Sequence, residues 1–153
     1  GFYTELEREV QSTTLSDLPG IGTRIHDAFA LGRRAITEYR YQEALAPLKT
    51  IRQLVSQVVA RRAIEELYGR NTQANLEEAP RQAFRFISRG VGFVYALQFT
   101  RRPSGAPYLT QAEVTSLLAP LMQGEGLWST DLSQKLETLT SHLKQVFDLP
   151  RTK

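Results

Sequence analysis

Residues 79–99 read Ala79-Pro-Arg-Gln-Ala-Phe-Arg-Phe-Ile-Ser-Arg-Gly-Val-Gly-Phe-Val-Tyr-Ala-Leu-Gln-Phe99, and how they fold decides how everything around them is arranged. At helical spacing Phe84, Ile87, Val91, Val94 and Gln98 fall in one stripe, while Phe86, Phe93 and Leu97 lie on another face with Gly90. A helix that is apolar on most sides belongs in the middle of a bundle. Gly90 and Gly92 each cost about 1 kcal/mol relative to alanine in a helix, and close approach of a neighbouring helix is the natural compensation. The stretch 91–99 is also rich in β-formers, which keeps a strand open there; helix is the expectation.

Working outward, the same period recurs on both sides. Segment 21–38 places Ile25, Phe29, Gly32 and Ile36 on one face, with Arg33 and Arg34 off it. Segment 42–68 repeats the pattern through Leu48, Ile51, Val55, Val58 or Val59, Ala63 and Leu67, with Arg61/Glu65 and Arg62/Glu66 as i,i+4 pairs expected on an exposed face. Pro47 falls early enough in that segment to be tolerated. Gly32, Ala44 and Leu48 stand at the spacing of a tetratricopeptide helix pair, but no second copy follows. The reading is two antiparallel helices joined near Tyr39–Tyr41. Residues 68–75, with Gly69, Asn71 and Asn75, read as a helix stop and a loop. Residues 100–108, with two prolines and a glycine, read as a loop. Thr110-Gln-Ala-Glu113 is a capping box that opens segment 111–123 on Val114, Leu117, Leu118 and Leu121, and Pro120 bends or ends it. Residues 123–128 are a turn that delivers Trp128. Segment 131–148 carries Leu132, Leu136, Leu139, Leu143 and Val146, capped by Ser129 or Thr130 and stopped by Pro150. The expected architecture is all-α: residues 1–153 as one single-domain bundle of four main helices plus a short N-terminal helix. In it 79–99 is central and 1–19 is a peripheral segment.

Composition narrows the function classes. At 153 residues the chain is one domain's worth, and 41% apolar with 23% charged residues is globular composition. No run of about 18 apolar residues occurs. The absence of cysteine excludes disulfides, thiolate metal sites and cysteine nucleophiles. A net charge of +3 is weak evidence for a polyanion partner.

Few residues carry a chemical signal. Leu18-Pro-Gly-Ile-Gly22 resembles the hairpin of helix-hairpin-helix DNA-binding proteins, in which backbone N–H groups at a helix start hold a phosphate; Gly20, Gly22, Thr23 and Arg24 would be the grip. That family wants a small residue four places after the second glycine, where this chain has His26, and an apolar helix beforehand, where this chain is polar. The plainer reading is a turn leading into a helix. His26 and His142 are the only histidines, expected at exposed or cap-side positions. Glu65/Glu66 and Glu77/Glu78 are adjacent acids without the Glu-x-x-His of a di-iron bundle. There is no Gly-x-Ser-x-Gly elbow and no phosphate loop, so the expectation is a protein that is not an enzyme and holds no cofactor. Arg81, Arg85 and Arg89 form an i,i+4,i+8 row suited to an anion or an acidic partner, with pairing to acids on neighbouring helices as the plainer alternative. Over a cleft lined by Phe86, Phe93 and Tyr95, the row would suit an amphipathic anion, a fatty acid or a porphyrin. Haem would need His26, His142, Met122 or a tyrosine as axial ligand.

A longer resemblance covers roughly residues 20–149. The order of "GTRIHDAFALGRRAI", "SRGVGFVYALQF", "LTQAEVTSLLAPL" and "GEGLWS", followed by a last amphipathic helix ending in Phe147-Asp-Leu149, resembles an uncharacterised family of exported helical bacterial proteins. Members of that family are found near imelysin-type iron-uptake components. Its most specific parts here are Gly92-Phe-Val-Tyr-Ala-Leu-Gln-Phe99 and Gly126-Leu-Trp128, mostly core and turn residues. Where the family places an acid before the Gly-x-Gly-Phe segment, this chain has Ser88 and Arg89. The resemblance implies an exported or periplasmic location. It also implies a binding or accessory role in bacterial iron or nutrient acquisition through protein contacts. A DNA-associated module using the Leu18–Gly22 turn is the competing expectation.

Overall fold

The computed structural model describes residues 18–150. The short N-terminal helix expected from the sequence, and nearly all of the peripheral segment 1–19, lie outside them. The helices are α1 (Ile21–Thr37), α2 (Leu45–Tyr68), α3 (Arg70–Glu78), α4 (Pro80–Ala96), α5 (Gln111–Met122) and α6 (Leu132–Val146), with 3-10 turns at Tyr41–Ala44, Leu97–Phe99 and Gly126–Trp128. Helices α2 and α3 are one long helix bent at Gly69, so the bundle has five helical bodies where the sequence suggested four. No strand occurs among the described residues; the one β-bridge, Arg101 with Pro107, closes the loop before α5. Residues 91–99 are accordingly helical, not extended.

The region read as a stop and loop after Tyr68 is the main departure. Gly69 interrupts the helix for a single residue, and its N–H still reaches Glu65 O at 2.8 Å. The Thr72 hydroxyl donates to Glu66 O at 2.7 Å across the break, and Asn75 donates its side-chain amide to Asn71 O at 2.8 Å. Asparagine and threonine side chains that usually compete with helix backbone here bridge its turns.

Helix α4 is central, as its apolar faces demand, and packs most extensively on α2 and then α3. Ile87, Val94 and Leu97 are completely buried with Leu67, Leu136, Leu143 and Phe147 in the main core. Gly90 lets α4 approach α2 closely: a Cβ there would stand 2.7 Å from Leu67 Cγ and 2.9 Å from the Leu67 backbone N. Gly92 behaves otherwise; it is exposed, and a Cβ would meet nothing within 4 Å among the described residues, so no neighbouring helix among them explains it.

The capping box of α5 forms as read: the Glu113 N–H donates to Thr110 Oγ1 at 3.2 Å, and the Thr110 N–H donates to Glu113 Oε2 at 2.7 Å. The expected hydroxyl cap of α6 does not form. Asp131 holds the N-cap position without a side-chain cap bond, and the Ser129 hydroxyl bonds the Asp131 carboxylate instead. The loop at 100–109 is tied down by Ser56, whose hydroxyl accepts from the Arg101 N–H at 3.1 Å, and by Tyr108, which stacks on Phe147 at 4.5 Å.

Helix α1 stands apart. It packs on α2 and on the 3-10 turn before it. Its Ile21 and Ile25 form a small second core with Leu54 and Val58, separate from the main one. The antiparallel α1–α2 pair joined near Tyr39–Tyr41 is as the spacing predicts, with Gly32 facing Pro47 Cβ.

Candidate functional site

Beside its small core, α1 leaves an apolar flank exposed. Seven of the eleven exposed large apolar side chains among the described residues lie between positions 29 and 48: Phe29, Leu31, Ile36, Tyr39, Tyr41, Leu45 and Leu48. The cause is local. Helix α1 carries Phe29 and Ile36 beside the Ile21/Ile25 stripe, making an apolar arc wider than one neighbour can cover. In the first turns of α2, Leu45 and Leu48 are likewise exposed. Between the two runs a groove of about 800 Å³ floored by Gly32, Pro47 and Ile51 and walled by Phe29, Ile36 and Leu48. The Arg33 guanidinium and the His26 imidazole line it, and among the described residues no acid does. Contiguous exposed apolar surface rimmed by charge is unusual for a solitary surface and usual for a contact surface.

A larger groove of about 1310 Å³ lies between the end of α2 and α6. It mixes Arg61, Arg70, His142 and Lys144 with Glu65, Glu137 and Asp148, so it presents no single sign of charge to a ligand. Among the described residues no group of three or more His, Asp or Glu side chains is placed to hold a metal ion.

The ion pairs expected on an exposed face of segment 42–68 are in fact turned inward, each with one buried partner, Arg61 in one and Glu66 in the other, and one half-buried partner. Arg61 and Glu66 are 8% and 6% exposed. Glu66 accepts from Arg62 at 2.9 Å on one oxygen and from Arg89 at 3.0 and 3.1 Å on the other, joining α2 to α4. The helix is flanked by α1, α4 and α6 as well as α3, and the charged pairs are carried inward. This also divides the arginine row. Arg89 belongs to Glu66 and lies 4.9 Å from the centre of the Phe86 ring, which is the plainer of the two readings. Arg81 and Arg85 face outward, and neither has an ion pair or hydrogen bond among the described residues. Their apolar neighbour is Trp128 in a shallow depression. The expected cleft with Phe86, Phe93 and Tyr95 is not what they border.

The remaining sequence candidates are placed as follows. Gly20 adopts φ 70° at the start of α1, a left-handed conformation that glycine takes without strain. The first turn of α1 has no side-chain cap, and Thr23 and Arg24 are exposed beside it. His26 is exposed, 3.6 Å from Asp27, and borders the α1–α2 groove. His142 is exposed on α6 and borders the polar groove, so the two histidines serve different surfaces. Burial, with a weaker contribution from Asp148, raises the Tyr108 hydroxyl above its ordinary value, although nearby Arg102 pulls the other way.

A family model described as a domain of unknown function, DUF4856, matches residues 3–149. The chain belongs to the DUF4856 family. No curated protein and no solved structure matches it significantly. The family covers all of α1 to α6, so the outlying α1–α2 arm is as much part of the DUF4856 domain as the main core. Among the described residues of this DUF4856 domain, no helix is long and apolar enough to cross a membrane.

Proposed function

We propose that this DUF4856 domain is a non-enzymatic contact module that works through the apolar groove of the α1–α2 arm. The observation that carries the proposal is the concentration of exposed apolar side chains at 29–48 around that groove. The occupant is an amphipathic helix of a partner protein, its apolar stripe laid between α1 and α2 in the helix-in-groove manner. Arg33 is the cation of the groove lining, and among the described residues no acid lines the groove, which asks for acidic residues flanking that stripe. The resemblance to exported proteins found near imelysin-type components supports a setting outside the cytoplasm, in bacterial iron or nutrient acquisition.

The test uses two synthetic amphipathic helical peptides with one apolar stripe and opposite flanks, glutamate or lysine. Fluorescence anisotropy is expected to show the acidic peptide binding at least ten times more tightly, and Ile36→Asp with Leu48→Asp abolishing it. Equal affinity for both peptides, or binding indifferent to those substitutions, overturns the proposal. So does reversible self-association that the same substitutions abolish, because the occupant would then be a second copy.

The DNA-associated reading has one observation in its favour, the uncapped α1 start with Gly20 at φ 70° and Arg24 exposed beside it. A low-salt gel shift lost on Gly22→Glu and weakened steeply by salt would favour it. No shift by the unaltered protein removes it.

A further inference from the structure

We infer that Trp128, Arg81 and Arg85 form a binding site for an aromatic carboxylate. Trp128 is 66% exposed, an unusual position for the largest apolar side chain of a domain with an ample core. It is not loose: it ends the 3-10 turn Gly126–Trp128 and meets Phe84 edge to face at 4.8 Å and 88°. The indole is thus oriented by the core and offered to solvent. Beside it lies a depression of about 480 Å³ lined by Ala79, Pro80, Arg81, Gln82, Arg85 and Trp128. That lining has two cations and no acid. Glu77 and Glu78 border a separate depression that shares Trp128 and Pro80.

The charges are uncompensated within the described residues. Two guanidinium groups one turn apart repel each other, and neither has an acidic partner, whereas Arg89 in the same row is joined to Glu66. A guanidinium is the side chain best matched to a carboxylate, which it binds through two parallel N–H donors. An indole offers an aromatic ring a stacking partner. A ligand with a flat ring and a carboxylate satisfies all three side chains together. A simple anion leaves Trp128 unused, and a neutral aromatic leaves both arginines unpaired. The site does not rest on the contact proposal. Tyr68 of α2 borders Trp128's other depression and Leu48 borders the arm groove, which places the two surfaces about 30 Å apart along that helix at 1.5 Å per residue.

Trp128 is the only tryptophan in the chain, so its indole N–H resonance reports the site by itself. The experiment titrates the protein with benzoate, benzamide and acetate in turn. Benzoate is expected to shift that resonance saturably, with benzamide and acetate at least ten times weaker. Arg85→Gln is expected to weaken benzoate about tenfold, and Arg81→Gln/Arg85→Gln to remove saturation. Both positions are exposed, so the circular dichroism spectrum stays unchanged. Benzamide matching benzoate would reduce the site to an apolar patch. Acetate matching it would reduce the site to a charge effect. A benzoate response untouched by the double substitution, or no saturable response, overturns the assignment outright.

Discussion

The main core and the α1–α2 arm are built from the same kind of helix and end in opposite situations. In the core, α4 is covered on several sides, and Ile87, Val94, Leu97, Leu136 and Leu143 are completely buried. In the arm, α1 buries Ile21 and Ile25 against Leu54 and Val58 while Phe29, Leu31 and Ile36 remain exposed. Apolar periodicity states which side chains need cover. It does not state whether the same domain supplies it. Where it does, the result is stability; where the described residues do not, as at Phe29, Leu31 and Ile36, the side chains stay exposed.

Truncation separates the two regions most sharply. Leu136→Ala in the core is expected to cost about 4 kcal/mol, since a fully buried leucine leaves both lost burial and a cavity. That corresponds to roughly 8–16 °C in Tm for a domain of this size. Ile25→Ala in the arm is expected to cost about 2 kcal/mol, the low end of the range, because few neighbours lose contact. Hydrogen exchange should find the loss confined to α1 amides. Accelerated exchange in α4 would mean that the arm and core unfold as one unit and would break the comparison.

Glu66→Gln probes the polar seam between α2 and α4. It leaves Arg62 and Arg89 facing a neutral amide in a partly buried setting. The expected cost is about 2 kcal/mol, below the value for a fully buried pair because Arg89 is half exposed. Denaturant unfolding measures it. A cost near zero would show that the seam is wetter than its burial indicates.

Two glycines on one helix give a smaller but cleaner contrast. Gly90→Ala forces a methyl group against Leu67 and should destabilise by about 1–2 kcal/mol despite the better helix propensity of alanine. Gly92→Ala enters open space and should stabilise by up to about 1 kcal/mol. Paired Tm measurements decide it; equal effects would mean that the α2–α4 approach is not tight.

The capping box of α5 sets the least effect and adds a pH signature. Thr110→Ala should cost about 1 kcal/mol. The Glu113 carboxyl is held below its ordinary value of 4.5, first by the hydrogen bond from the Thr110 backbone N–H and then by the Thr110 side chain. A depressed folded value stabilises above the unfolded value, and that contribution disappears as pH falls through the folded one. The Tm gap between the wild type and Glu113→Gln should therefore be open near neutral pH and close as pH drops below the ordinary value. A gap independent of pH would remove the charge from the explanation.

Much of this fold is legible in the residues. The boundaries of α1, α4, α5 and α6 follow from periodicity and punctuation, and Thr110/Glu113 caps where its spacing says. The failures have physical causes. Gly69, Asn71 and Asn75 look like a stop because local preference cannot see Thr72 bonding back across the break. Arg61/Glu65 and Arg62/Glu66 look solvated because i,i+4 charge pairs usually are; burial here comes from α4 and α6 packing on α2, which no local pattern records. The arginine row was visible, but its division was not. That Arg89 meets Glu66 while Arg81 and Arg85 share a depression with Trp128 depends on placements 23 and more residues apart in sequence.

The contact of Gly90 with Leu67 has a consequence for how this family changes over time. The two positions share one volume, with the Leu67 side chain occupying the space a Cβ at 90 would need. Neither can vary alone without penalty. Homologues should fall into two groups, one keeping glycine at 90 with a large residue at 67 and another trading a methyl or larger group at 90 for a smaller residue at 67. Sequences that are large at both positions should be missing. Such paired replacement is the signature of spatial contact, so this close approach should be readable as covariation between two columns 23 positions apart.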